Sequence, residues 1–144
     1  MDTDRQAIVD LAVAYCWALD TRDWDALDRV FTADATAVLG SPLLTGVEAI
    51  KQRVRQALRP LDTSQHMVNT HQVSVNGDTA TSRCYFHAQH VRRAAGGDGA
   101  SPNFIVAGRY EDRLVRTIDG WRIAHRELVT MWTDGNERVV RGDG

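Results

Sequence analysis

The chain has 144 residues, a formal net charge of −2 and 43% hydrophobic residues. A single domain of this length buries a core without disulfides or metal, and its near-neutral charge gives no electrostatic reason to expect nucleic acid as a partner. No apolar run approaches the roughly 20 residues that span a membrane, and Asp2, Asp4 and Arg5 open the chain where a signal peptide would be apolar, so a cytoplasmic protein is expected.

Residues 4–20 read as a helix, because Ile8, Leu11, Ala12, Tyr15 and Leu19 recur at helical spacing. Asp2 or Thr3 can cap its start. Thr21 can cap a second, short helix whose stripe is Trp24, Leu27, Val30 and Phe31. Residues 34–39 suggest a short strand, broken by Gly40, Ser41 and Pro42. A third helix is predicted over 47–58, with Ile50, Val54 and Leu58 on one face and Lys51, Arg53 and Arg55 toward water. Pro60 ends it.

The second half changes character. Residues 65–75 and 79–92 read as strands joined by a turn at Asn76-Gly77-Asp78. Residues 94–101 carry Gly96, Gly97 and Gly99 and suggest a mobile loop. Strands follow over 104–117 and 121–132, joined at Asp119-Gly120. Residues 1–135 then make one domain, and 136–144 form a polar tail expected to fray. Helices first and long strands afterward predict an α+β fold. Tight turns between four successive strands predict an antiparallel sheet, curled around three helices into a cone with a pocket at its open end.

Three side chains stand out chemically. Asp20 closes the first helix, where an acid opposes the helix dipole, and that unfavourable placement suggests another use. His66 and His90 lie in strand segments. An acid and two imidazoles can move protons without metal or cofactor. His90 ends the alternating series Ala80, Ser82, Cys84, Phe86, Ala88, and so points inward. It is either a pocket group or a buried neutral histidine at a sheet end. Strict alternation puts His87 on the face opposite His90, and His71 on the face opposite His66. His66, His71 and His90 could in principle bind a metal, but His66 and His71 are five apart on a strand and face opposite ways, so neither metal nor cofactor is expected. Cys16 and Cys84 read as buried free thiols.

The order of elements resembles the nuclear-transport-factor-2-like superfamily. Within it the chain is similar to the SnoaL-like branch that contains scytalone dehydratase and hexachlorocyclohexane dehydrochlorinase. The stretches that carry the resemblance are residues 15–20 (YCWALD), 23–27 (DWDAL), 31–35 (FTADA), 46–50 (GVEAI), His66, 77–81 (GDTAT), 108–112 (GRYED) and 120–123 (GWRI). It implies an Asp20–His66 pair in which the histidine removes a proton from carbon, with the second histidine of the pattern at or near His90. It also aligns Arg126 with a pocket arginine. Arg126 could equally be an exposed arginine paired to Glu111 or Glu127. Tyr15, one turn before Asp20, could offer its hydroxyl to a substrate or be a core residue. Asp112 could face the pocket or pair with an arginine.

Phe86 is expected to line an apolar chamber together with Met67, Phe104, Met131 and Trp132. Leu19 stands where scytalone dehydratase has a tyrosine, and Tyr15 where the dehydrochlorinase has a lysine, so neither specific reaction carries over. The expectation is a cofactor-independent lyase or isomerase acting on a small hydrophobic molecule. A non-catalytic ligand-binding or scaffolding cone, or a polyketide or terpenoid cyclase, stands as the alternative. The resemblance also implies a homodimer or larger homo-oligomer formed through the outer face of the sheet, for which Val73, Val75, Tyr85 and Trp121 are candidates.

Overall fold

The computed structural model describes residues 3–141. Asp2, one of the two candidate caps, and residues 142–144 of the tail lie outside the described residues. The elements are α1 (Thr3–Asp20), a 3-10 turn (Trp24–Arg29), β1 (Phe31–Val38), β2 (Leu44–Thr45), α2 (Val47–Leu58), β3 (Thr63–Asn76), β4 (Thr79–Val91), β5 (Asn103–Thr117), β6 (Gly120–Gly135) and α3 (Arg138–Arg141). The fold is α+β, and the helices pack on one face of a six-stranded sheet ordered β2-β1-β6-β5-β4-β3. The sheet is mixed rather than wholly antiparallel, because β1 runs parallel to β6.

Helix α1 presents Ile8, Leu11, Ala12, Tyr15 and Leu19 to the core, as their spacing predicts. Its first turn is tied to the β5–β6 hairpin. Asp4 accepts two hydrogen bonds from Arg116, each 2.9 Å, and one from the Trp121 indole at 3.1 Å. Its last turn closes as a double backbone bond, Asp23 N–H to the Ala18 carbonyl and Arg22 N–H to the Leu19 carbonyl. That closure requires a left-handed residue, and Arg22 supplies it at φ +61°. The next turn is capped by Asp23, whose side chain accepts from Ala26 N–H. Thr21 bonds back to the Trp17 carbonyl instead of capping forward.

Helix α2 buries Ile50, Val54 and Leu58, but Lys51 is also buried rather than solvated. Its ammonium reaches Asp28 at 2.8 Å, Glu48 at 3.2 Å and Asp25 at 3.4 Å. Hydrogen bonding to Asp28 raises the Lys51 pKa and locks α2 to the 3-10 turn. The segment after Gly135 does not fray over its described part. Val139 is buried, the Arg92 guanidinium donates to the Val139 carbonyl, and Asn136 donates to the carbonyls of Ala95 and Ser101, which also pins the glycine-rich connection.

Besides an irregularity between Phe31 and Thr36 where β1 meets β6, three register shifts in the antiparallel strands shape the sheet. One falls between Asn69 and Gln72 in β3, where Thr70 adopts φ +58°, and two fall between β5 and β6, at Ala107/Gly108 and Arg113/Leu114. Each adds a residue to one strand, bends the ladder and reverses the facing of the residues beyond it. In β3, Thr70 and His71 together lie opposite Cys84, so His71 and Val73 return to the helix-side face that His66 and Val68 occupy. Strict alternation would place His71 opposite His66. Val73 and Trp121 pack on the core rather than on the outer face, and Val75 pairs with inward-facing Ala80. The exposed apolar residues of the outer face are Met67, Tyr85, Met131 and Trp132.

Candidate active site

The inward face of β4 is the floor of the site. Ala80, Ser82, Cys84, Phe86, Ala88 and His90 are all buried, as the alternation predicts. Beside it β3 lays His66 opposite Ala88 and Ser64 opposite His90. Asp20 descends onto this corner from the end of α1. Its carboxylate accepts the His66 ring Nδ1–H at 2.7 Å, the His66 backbone N–H at 2.6 Å and the Ser64 hydroxyl at 2.9 Å. Burial raises the Asp20 pKa, but the bonds from His66 and Ser64 outweigh it and hold the carboxyl below its ordinary value. An ionised acid against Nδ1 makes that nitrogen the donor, so His66 Nε2 carries the lone pair.

Two residues of this corner have no counterpart among the sequence candidates. Ser64 shares the face of His66 and orients Asp20, and its position two residues upstream was the available signal. Arg22 donates to Ser64 Oγ at 2.8 Å and to the Leu19 carbonyl at 2.7 Å. Its left-handed backbone gives no mark in the sequence, since glycine is the usual residue there.

His66 and His90 face each other edge to face, with ring centroids 5.9 Å apart. His90 Nδ1 donates to the Phe104 carbonyl at 3.1 Å, which again leaves Nε2 as an acceptor. Burial, followed by the nearness of His66, lowers the His90 pKa to about 4, so the ring is neutral near pH 7. A proton prefers the unfolded chain wherever the folded pKa lies below 6.5, so this group removes stability as pH falls from 6.5 toward 4. Between pH 7 and pH 4.5 the parent should lose about 2 kcal/mol more than a His90→Phe variant, measured by urea unfolding at both pH values. Parallel losses in the two proteins would contradict a buried neutral ring.

The two histidines share a cavity of about 450 Å³, walled also by Tyr15, Leu19, Phe86, Ala88, Val106, Tyr110, Leu128 and Thr130, with Arg53 and Gln56 from α2 and Arg141 from α3. Tyr15 is almost fully buried, and burial pushes its phenol up to about 12, so it stays protonated. Phe86 stacks on Tyr110 with ring centroids 4.5 Å apart.

Arg126 is not on this wall. It is fully buried behind it, donating through Nε and Nη2 to the two oxygens of Asp112, each at 2.8 Å, with its guanidinium 4.4 Å from the Tyr15 ring and 4.1 Å from that of Tyr110. Arg126 thus does not line the cavity, where the resemblance would place it, and its charge is met by Asp112. Met131 and Trp132 are half exposed on the outer face; Met131 is the residue inserted at the Ala107/Gly108 shift, which turns Trp132 away from the chamber and against His87. Met67 is likewise outside, and His125 bonds Thr36 Oγ1 at 2.7 Å, away from the cavity. Both cysteines are buried free thiols, raised by burial to about 12 for Cys16 and 11 for Cys84. Among the described residues no three His, Cys, Asp or Glu side chains stand close enough to hold a metal ion, and no helix is long and apolar enough to cross a membrane.

The chain is similar to an uncharacterized protein of Mycobacterium tuberculosis, 39% identical over 129 residues covering 86% of this chain and 83% of the relative. It is also similar to the terrestric acid biosynthesis cluster protein E of Penicillium crustosum, at 32% identity over 95% of this chain and 89% of that one. Among solved structures, the Kfla4162 protein of Kribbella flavida superposes with a TM-score of 0.90 at 27% identity, covering 98% and 99% of the two chains. A candidate aromatic ring hydroxylase of Novosphingobium aromaticivorans gives 0.80 at 31% identity, over 95% and 96%. The hexachlorocyclohexane dehydrochlorinase LinA gives 0.79 at 16% identity, over 92% and 88%, a likeness of fold alone. These names span different chemistries, so the fold they share does not choose a reaction. The SnoaL-like domain profile matches residues 3–127, and the chain belongs to the SnoaL-like family.

Proposed function

We propose that this protein is a cofactor-independent lyase or isomerase in which His66 removes a proton from carbon of a small hydrophobic molecule. The observation that carries the reading is the 2.7 Å bond from His66 Nδ1 to Asp20, on a ring that also lines the cavity. The carboxylate fixes the tautomer and stabilises the imidazolium that forms when Nε2 takes the proton. In an elimination, the C–H electron pair becomes the new π bond and the leaving group departs with its own pair. In an isomerisation, the same imidazolium returns the proton at another carbon. His90, neutral and with Nε2 as acceptor, can hold a substrate hydroxyl, and the Tyr15 phenol can donate to a carbonyl oxygen. A volume of about 450 Å³ suits a molecule of one or two rings. The cluster protein among the relatives fits such a role in small-molecule biosynthesis.

The reading is tested with cyclic β-hydroxy and β-halo carbonyl compounds, following loss of water or halide and uptake of solvent deuterium beside the carbonyl. His66→Gln should reduce both by about 10²–10⁴-fold while Tm stays within a few degrees. A variant that keeps its activity, or a parent protein that exchanges none of these protons, would refute a catalytic His66 and favour a binding domain.

A further inference from the structure

The cavity that holds His66 and His90 is unevenly charged. Among the described residues its wall carries two guanidinium groups, Arg53 and Arg141, and no aspartate or glutamate. Asp20 lies on the far side of His66, against a different cleft.

The two arginines differ in how their charge is met. Arg141 is exposed and pairs with Glu137 at 3.0 Å, so an internal acid already answers it. Arg53 stands midway along α2 and donates from Nε and Nη2 to the Leu39 carbonyl, at 3.2 and 3.1 Å, and from Nη2 to the Gly40 carbonyl at 3.1 Å. Gly40, at φ +62°, makes the turn in which both carbonyls meet the guanidinium. Carbonyls fix the group in place without cancelling its charge. These bonds use one side of the fork and leave the two Nη1 hydrogens for another acceptor. Among the described residues no carboxylate lies within ion-pair distance of Arg53. Arg53 is half-buried, and apolar Val54, Ala57, Leu58 and Leu39 line the cavity around it.

A fixed, uncompensated guanidinium in an apolar wall suits an anionic ligand oxygen, where a charge-assisted bond is about twice as strong as a neutral one. We infer that Arg53 binds a carboxylate of the substrate, so that the cavity selects small hydrophobic acids. The apolar body lies against Phe86, Val106 and Leu128, and the anionic end lies at α2. This deepens the proposed function and rests on it only in taking the His66 cavity as the substrate site.

The test uses a matched pair of probes, 2-naphthoate and 2-naphthamide, which share shape and differ in charge. Affinities are measured by calorimetry on the full chain at low salt. The acid should bind about tenfold more tightly than the amide, with the preference shrinking as salt is raised. Arg53→Gln should bring the ratio to about one, Arg53→Lys should retain part of it, and Arg141→Gln should change it by less than about threefold. The ratio is the deciding quantity, because a loosened Leu39–Gly40 turn would weaken both probes alike. Equal affinities in the parent, no binding of either probe, or an acid preference that survives Arg53→Gln would overturn the inference. The binding assay does not involve proton removal, so its failure leaves His66 catalysis standing. An inactive dyad would in turn leave a carboxylate site intact.

Discussion

Replacing Arg126 by leucine is expected to destabilise the fold by about 3–5 kcal/mol, because it leaves the buried Asp112 carboxyl without its partner. For a chain of this size that corresponds to a fall in Tm of roughly 10–20 °C. The physical reason is the asymmetry of a buried pair. The two charges meet through two parallel bonds of 2.8 Å, and the guanidinium lies over two tyrosine rings set at 79° to each other. Removing one partner strands the other. The Asp112→Leu, Arg126→Leu double variant should therefore recover most of the loss, since neither desolvation cost remains. Arg126→Lys should recover little, because an ammonium can neither form the planar two-point contact nor cover the Tyr15 and Tyr110 rings as the guanidinium does. Urea unfolding of the four proteins gives the comparison directly. If Arg126→Leu lost activity with unchanged stability, the residue would be a substrate contact after all.

The buried Arg126 also marks where the residues alone stop being legible. Helices α1 and α2 follow from helical spacing, whereas the second predicted helix is a 3-10 turn and Phe31, counted in its stripe, opens β1; the inward face of β4 follows from strict alternation over six positions. Asp20 could be suspected because an acid at a helix C-terminus is out of place, and its three hydrogen bonds from β3 account for it. The remainder depended on features with no local signature. Thr70 in a left-handed conformation gives β3 an extra residue, so His71 and Val73 turn inward although counting by twos sends them out. The shift beside Gly108 acts in the opposite sense: Met131 is the inserted residue, and Trp132, which counting by twos from Leu128 and Thr130 sends inward, turns out. An alanine at 108 would place its Cβ 2.0 Å from the Val129 carbonyl oxygen, so the close approach itself depends on glycine. The parallel pairing of β1 with β6 joins segments some ninety residues apart, and no turn announces it. Lys51 looked solvated because two of its three acids sit on a different element.

Asp20→Asn should lower turnover by about 10²–10⁴-fold, a loss comparable to that of removing the His66 imidazole itself. The side chain keeps its shape and one acceptor oxygen, so the bond from the His66 backbone N–H can survive, whereas the Ser64 hydroxyl, which shares Oδ1 with His66 Nδ1, loses its acceptor. What changes is the group facing His66 Nδ1. An amide nitrogen donates there, Nδ1 becomes the acceptor, and the proton moves to Nε2, the nitrogen that must be bare to take a proton from substrate. Relief of the unfavourable charge at the end of α1 contributes about 0.3–1 kcal/mol of stability, against the loss of charge-assisted bonds worth about 1–3 kcal/mol. The net change should be a modest destabilisation. It should also vanish in strong acid. Because the Asp20 pKa is depressed in the folded state, the stability it contributes is present above pH 3.8 and is lost as pH falls through its folded value. The two substitutions act on one unit, so Asp20→Asn combined with His66→Gln should be no slower than His66→Gln alone. Multiplied losses in the double variant, or an Asp20→Asn protein with unaltered kcat, would mean that the carboxylate only anchors β3 to α1 and that the proton is moved elsewhere.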